Sequence, residues 1–207
     1  MIHSQIEQVR QIDSTVFAEK LDSLREKCSF NKTLLPEFEL ETLSALSYYP
    51  ELDSTRIVFK KAKIKASLNA RPTIGSLLFR KRSRRTYVIR IKPNLGDSFA
   101  TLDQVGFNGA VGVLGHEYNH IIDYSHRGFF RILGRLFNYT NKKGKRKYEE
   151  EIDRMTVEKG LGWQLYDWEE FVLYKSKAKA KYKAYKKAVY LSPNELIIIM
   201  NEMNIRN

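Results

Sequence analysis

Residues 105–124 read VGFNGAVGVLGHEYNHIIDY, and the centre of that run, His116-Glu117-Tyr118-Asn119-His120, decides how the rest of the chain is read. Val111, Leu114, Ile121 and Ile122 recur at helical spacing, so a helix is expected from about Val105 to Tyr124. Thr101 and Gln104 have capping-box spacing ahead of it, and Gly128 follows it as a stop. On a helix, residues four apart share a face one turn apart. Both imidazoles can then reach one zinc ion at about 2.0–2.1 Å. Glu117 stands beside the first ligand and can take a proton from a water that zinc has made acidic. One zinc per chain is the expectation, although other divalent ions also suit histidine and carboxylate donors. Gly109 and Gly112 lie on the histidine stripe. They leave either open space above the metal or room for another helix to pack closely.

Working outward, the segment to about Ser47 reads as helical, with Leu21, Leu24, Leu40, Leu43 and Leu46 in period and Pro36 and Pro50 as punctuation. From Arg56 the period changes to two. Val58, Ala62, Ile64 and Ala66 fall on one face and Lys61, Lys63 and Lys65 on the other, which predicts a half-buried strand. Arg71-Pro72 and Gly75 read as a loop, and Thr86 to Lys92 as a second strand. Beyond the histidines, Phe129 to Tyr139 reads as a short helix, Thr140 to Arg146 as a polar loop, and Lys147 to Lys159 as a helix stopped by Gly160. Ser192-Pro193-Asn194-Glu195 announces a final helix with a cap, a first-turn proline and a closing glutamate. The pattern predicts an α+β fold with a small sheet, an active-site helix and a mainly helical C-terminal part. One domain spans 1–207: a helical N-terminal layer (1–55), sheet and metal-binding helices (56–160), and a helical extension (161–207).

A catalytic zinc needs a third protein ligand and one open position, and two residues compete for that place. His126 makes the segment HEYNHIIDYSH, which resembles the metzincin pattern H-E-x-x-H-x-x-G-x-x-H. Asp123 stands where the glycine should be, and Met155 lies in a helical stretch rather than in a tight turn. The other candidate, Glu149, lies four residues before Asp153, so both carboxylates share one helical face. Glu149 would bind the metal while Asp153 accepts the far ring N–H of a ligating histidine. That arrangement resembles the gluzincins, whose H-E-x-x-H helix is followed by one bearing E-x-x-x-D. It looks most like the branch of the HtpX heat-shock peptidases and CAAX prenyl endopeptidases, with Ile152 in place of an alanine. The likeness covers only the part from the second strand to Gly160, without the membrane helices of HtpX.

The resemblance implies a zincin-like fold in a soluble, minimal form and a zinc-dependent endopeptidase acting on peptide or protein substrates. Glu117 would be the general base, and His116, His120 and Glu149 the metal ligands. Tyr124, His126 and Arg154 are candidates to stabilise the oxyanion. The strand Thr86 to Lys92 could offer its edge to an extended substrate. An inactive zinc site kept for structure or binding is the alternative, against which an intact Glu117 argues.

The remaining constraints are compositional. A chain of 207 residues, 43% hydrophobic and 12% aromatic, can bury a core. The start lacks an apolar run, no transmembrane stretch is evident, and Cys28 is the sole cysteine. A cytoplasmic protein without disulfide or thiolate-rich metal site is therefore expected. Net charge is +12, concentrated in Arg80–Arg85, Lys142–Lys147 and Lys175–Lys187. Such patches keep a protein soluble or attract acidic peptides or anionic lipid. The apolar run Phe129–Phe137, with two arginines, either lies at a membrane interface or bridges the two metal-binding helices. Nucleic acid is disfavoured because charge alone points to it.

Overall fold

The computed structural model describes residues 7–96, 99–138 and 141–205. Four strands form one sheet: β1 (Lys32–Thr33), β2 (Arg56–Lys61), β3 (Leu68–Pro72) and β4 (Thr86–Ile91), in the order β1-β2-β4-β3. β1, β2 and β4 run parallel, while β3 closes one side antiparallel to β4. In β4 Tyr87, Ile89 and Ile91 are buried as expected, but Val88 on the opposite face is buried too, so strict alternation is lost at the strand's centre. In β2 the buried face is Ile57 and Phe59, one residue out of phase with the expected Val58 set. Ala62 still donates to the Ile91 carbonyl, but pairing then ends and residues 62–66 form a loop.

Two further expectations are corrected here. Arg71-Pro72 is not a loop but the end of β3, where proline is tolerated because the strand lies at the sheet's border. β4 is flanked on both sides by β2 and β3, so its hydrogen-bonding groups are spent and it has no edge to offer. The sheet's edges belong to β3 and to the two-residue β1.

The N-terminal layer is α1 (Ser14–Glu19), α2 (Leu21–Cys28) and α3 (Glu39–Leu46), interrupted by β1 rather than continuous. Asn31 makes the turn into β1 at φ 60°, a left-handed conformation that asparagine tolerates better than most residues. A short α4 (Ile74–Phe79) links β3 to β4. Of the expected Thr101–Gln104 capping box only the Gln104 half is bonded, Thr101 N donating to Gln104 Oε1 at 3.1 Å, and it opens a 3-10 turn at Leu102–Gln104; the long helix α5 (Phe107–His126) begins after Gly106.

Every residue of α5 from Gly109 to Tyr124 is buried, including the polar His116, Glu117, Asn119, His120 and Asp123. It packs against α3, β3 and two later helices, α7 (Lys142–Glu158) and α8 (Gly162–Glu170). The glycine stripe serves that packing and does not open space. A Cβ at Gly112 would overlap the Gln164 carbonyl and Leu165 N of α8, and one at Gly109 would lie 3.3 Å from Trp168 N.

Between α5 and α7 lies α6 (Phe129–Asn138); Tyr139 and Thr140 fall outside the described residues. α7 starts five residues earlier than expected because Asn141 caps it, accepting from Gly144 N at 2.6 Å. A π turn (Phe171–Lys175) leads from α8 toward α9 (Ala180–Val189) and α10 (Pro193–Ile205). Ser192 and Glu195 close the expected box, with Ser192 N donating to Glu195 Oε2 at 2.7 Å. A continuous hydrophobic core runs from Ile12 to Met200. Among the described residues no helix is long and apolar enough to cross a membrane.

Candidate metal centre

α5 and α7 pack side by side and bring three donor atoms together. His116 Nε2 and His120 Nε2 are 3.1 Å apart, and each lies 3.3 Å from Glu149 Oε2. Donors held about 2.0–2.1 Å from a tetrahedral ion stand about 3.3 Å from one another, so the triangle has the size that a zinc-like ion requires. All three side chains are buried. Two neutral imidazoles and a carboxylate suit zinc and several other divalent ions.

Each imidazole is oriented from behind. His116 Nδ1 lies 2.7 Å from Asp153 Oδ1, and Asp153 Oδ2 accepts from Leu191 N at 3.2 Å. The carboxylate thus takes the Nδ1 proton and leaves Nε2 free to coordinate. Burial opposes charge on His116, but hydrogen bonds to Asp153 and Glu149 outweigh it and push the pKa up to about 10. Burial likewise works against a charged Glu149, yet the hydrogen bonds from the two histidines hold its carboxyl well below the usual range.

His120 is oriented by a longer chain of bonds. Its Nδ1 lies 3.2 Å from the Tyr148 hydroxyl, which donates to Asp123 Oδ2 at 3.1 Å. Asp123 is in turn held by Arg127 at 2.7 Å and by Arg135 at 3.5 Å. The residue in the place of the metzincin glycine is therefore an anchor for the second histidine, and the helix runs straight through it.

Glu117 is buried close to both histidines and to Glu149, and it takes a backbone hydrogen bond from Ala70 of β3. Its Oε2 has no hydrogen-bond partner among the described residues. Burial raises its pKa, partly offset by the nearby His120 and His116. Glu117, His120 and Glu149 lie on the wall of a cleft of about 860 Å³, which is also lined by Leu68, Asn69 and Ala70 of β3 and by Tyr182, Tyr185 and Tyr190. The Tyr190 hydroxyl reaches to 3.5 Å from Glu149 Oε1, and its ring centre lies 5.9 Å from that of His116.

Glu149 and Asp153, paired in the sequence, meet the histidines as that spacing requires. The competing His126 does not join them. Because α5 stays helical, His126 emerges exposed at its C-terminal end, where its carbonyl accepts from Arg82. Arg154 turns aside to Glu150 at 3.1 Å. Tyr124 is buried beneath the site, stacked on His120 with ring centres 6.2 Å apart, and is not part of the cleft lining. The residues that the sequence did not single out are Tyr148 and Tyr190, and Asp123, noted only as a departure from the metzincin glycine, was not expected to anchor His120. Tyr148 immediately precedes the ligand-bearing glutamate, so its position carried a signal. Tyr190 lies in a connection between helices and carried none.

No protein-family model matches this chain, and no curated protein or solved structure matches it either. The class of protein therefore has to be argued from the site.

Proposed function

We propose that the chain is a zinc-dependent peptidase that hydrolyses peptide bonds in the cleft beside β3. One observation carries this reading. A buried triangle of two imidazoles and a carboxylate, of the size a tetrahedral ion needs, adjoins a buried carboxylate with a bare oxygen. A purely structural metal site closes with four protein ligands and has no use for Glu117. When bound, the ion supplies Lewis-acid polarisation and a water acidified to near neutral pH.

The protein's own groups do the rest. An extended peptide can add to the free edge of β3, whose backbone N–H and C=O groups hold its main chain in register. Glu117 accepts a proton from the attacking water as its oxygen bonds to the carbonyl carbon. It then delivers that proton to the departing nitrogen as the C–N bond breaks, and the second water proton passes from the new carboxyl to the amine, which leaves a carboxylate and an ammonium group. A raised pKa favours this exchange, since a strongly acidic carboxylate holds a proton too weakly. Tyr190, at the cleft wall, is the hydroxyl best placed to donate to the developing oxyanion. Tyr124 and Arg154 face elsewhere.

The experiment is metal content by mass spectrometry, with hydrolysis of a quenched-fluorescent peptide library, on wild type, Glu149→Gln, His126→Ala and Glu117→Gln. The reading expects one zinc per chain in all but Glu149→Gln, and cleavage in wild type and His126→Ala only. Wild type that takes up no zinc after reconstitution would refute it.

A second reading concerns location and has its own observation. Ile74, Leu78 and Phe79 on α4 and Phe130 on α6 are 65%, 54%, 86% and 83% exposed. Exposed Arg80, Lys81, Arg82 and Arg84 follow α4 directly, and Arg82 and Arg85 tie that segment to the start of α6 through His126 and Arg127. Apolar tips ringed by cations favour a peripheral attachment to anionic membrane surfaces. Sedimentation with phosphatidylserine vesicles at low salt tests it. Equal sedimentation with neutral vesicles, or none with either, would rule it out.

A further inference from the structure

The three basic clusters of the sequence separate in the fold. Arg80–Arg85 goes to the far end of α5, whereas the other two converge on the cleft. Lys63 and Lys65 approach from the β2–β3 loop, Arg90 from β4, Lys145 from α7, and Lys179 and Lys181 from the start of α9. Six of the cleft-lining residues are therefore cationic, and they come from both walls. Among the described residues, the acids in the lining are Glu117 and Glu149, which belong to the candidate metal centre.

Lys63, Lys65, Lys179 and Lys181 are exposed, and none makes an ion pair within the protein among the described residues. Their charge is thus left for something that enters the groove. Between the walls the floor is apolar and aromatic. Leu68 and Ala70 line one side, and Tyr182 reaches across to Ser67 Oγ at 2.7 Å.

We infer that the cleft selects peptide segments rich in aspartate and glutamate, gripped by lysines on both sides of the scissile position; this rests on the peptidase reading above. A groove with low-dielectric walls and one sign of charge concentrates oppositely charged ligands and speeds their capture. Carboxylates spaced along an extended chain can meet the two walls while the main chain lies on β3. A flat lipid surface reaches only the rim of a groove. Nucleic acid wants a series of stacking platforms along a charged track, whereas Tyr182 is engaged with Ser67 and with the Phe99 ring, 5.2 Å away between centres.

The test uses Glu117→Gln full-length protein, loaded with zinc, and three fluorescein-labelled decapeptides that are identical except for four Glu, four Gln or four Lys. Binding is read by fluorescence anisotropy in low and high salt. The expected result is an acidic peptide bound about 10-fold or more tighter than the glutamine peptide at low ionic strength. That ratio should collapse toward one in about 0.5 M salt, where charges are screened within a few ångströms. The quadruple variant Lys63→Gln, Lys65→Gln, Lys179→Gln, Lys181→Gln should lose the preference. A control that removes four charges elsewhere (Arg80→Gln, Lys81→Gln, Arg84→Gln, Arg131→Gln) should keep it.

Equal binding of the acidic and glutamine peptides overturns the inference, as does a control variant that loses the preference equally. A single-stranded oligonucleotide or phosphatidylserine vesicles binding tighter than the acidic peptide through the same four lysines would also overturn it and reassign the groove. Cleavage of the same peptides by zinc-loaded wild type is measured separately. If none is cut, the peptidase reading fails, while the binding ratio still decides what the groove recognises.

Discussion

Replacing Asp153 with asparagine changes one oxygen for an amide nitrogen and should still cost most of the metal affinity. The two carboxylate oxygens have different partners: His116 Nδ1 at 2.7 Å and the Leu191 backbone N–H at 3.2 Å. Leu191 can only donate, so it keeps the amide oxygen and turns the NH2 toward His116. Nδ1 must then accept, and the ring proton moves to Nε2, the atom that faces Glu149 and the expected ion. The opposite flip sets NH2 against the Leu191 N–H in a site that is 1% exposed. With Nε2 bare for the metal, Nδ1 must carry the proton, and either orientation then loses one buried hydrogen bond, at about 1–3 kcal/mol. Expressed as affinity, that is about 5- to 160-fold, which spans the range of about 10- to 100-fold found for partners of metal-bound histidines. The assay is zinc competition against a chromogenic chelator, with a thermal melt of the zinc-free protein to check folding. Tyr148→Phe, which removes a longer 3.2 Å contact to His120, should lose less. A folded Asp153→Asn protein with zinc affinity within threefold of wild type would refute the assigned tautomer.

Other consequences are as direct. Gly112→Ala puts a methyl into the Gln164–Leu165 backbone and should cost about 3 kcal/mol. A chain of this size then melts about 6–12 °C lower by circular dichroism, whereas Gly134→Ala, with open space around it, should not lower the melting point. Glu117→Gln should retain zinc while losing a factor of about 10²–10⁴ in turnover; undiminished hydrolysis would exclude Glu117 as the base. The buried Lys186–Glu169 pair, 2.7 Å apart, should make Lys186→Met destabilising by about 3–5 kcal/mol, with partial recovery when Glu169→Gln is added; a neutral single variant would deny the pair. Burial lowers the Lys32 pKa to about 8 from 10.5, so between those values the unfolded chain holds a proton that the folded one has released. Stability should therefore gain with rising pH over that window, a gain absent from Lys32→Met in urea titrations at pH 7.5 and 10.

Local spacing made much of this legible. Two histidines four apart and two acids four apart each fix a helical face, and the packing of α5 on α7 brings those faces together. The α+β class followed from the change of period at Arg56. What failed depended on the tertiary neighbours. β3 was hidden because Asn69, Arg71 and Pro72 look like loop chemistry, and only pairing with β4 makes them a strand. The phase of β2 was misread because lysines alternate with small residues just beyond its end. The glycines of α5 carry no mark of what packs on them, so open space and a neighbouring helix read the same. Tyr190 reaches the cleft from a connection whose path no periodicity records.

Charge balance explains why the centre is built with so many carboxylates. Asp123 is matched by Arg127 and Arg135, and Glu169 by Lys186. Asp153 and Glu117 are buried as well, and neither makes an ion pair with lysine or arginine among the described residues. Without an ion, the nearest positive charge available to them is a proton on histidine, which accounts for the raised pKa of His116. Isolated charges in a protein interior are costly unless they are paired or coordinate a metal. A divalent cation beside His116, His120 and Glu149 supplies the missing charge at the point where these groups converge, and lets both histidines stay neutral. On the peptidase reading, the arrangement that would make Glu117 a base is the same one that would make the ion part of the folded state, so metal uptake and thermal stability should be linked quantities rather than independent ones.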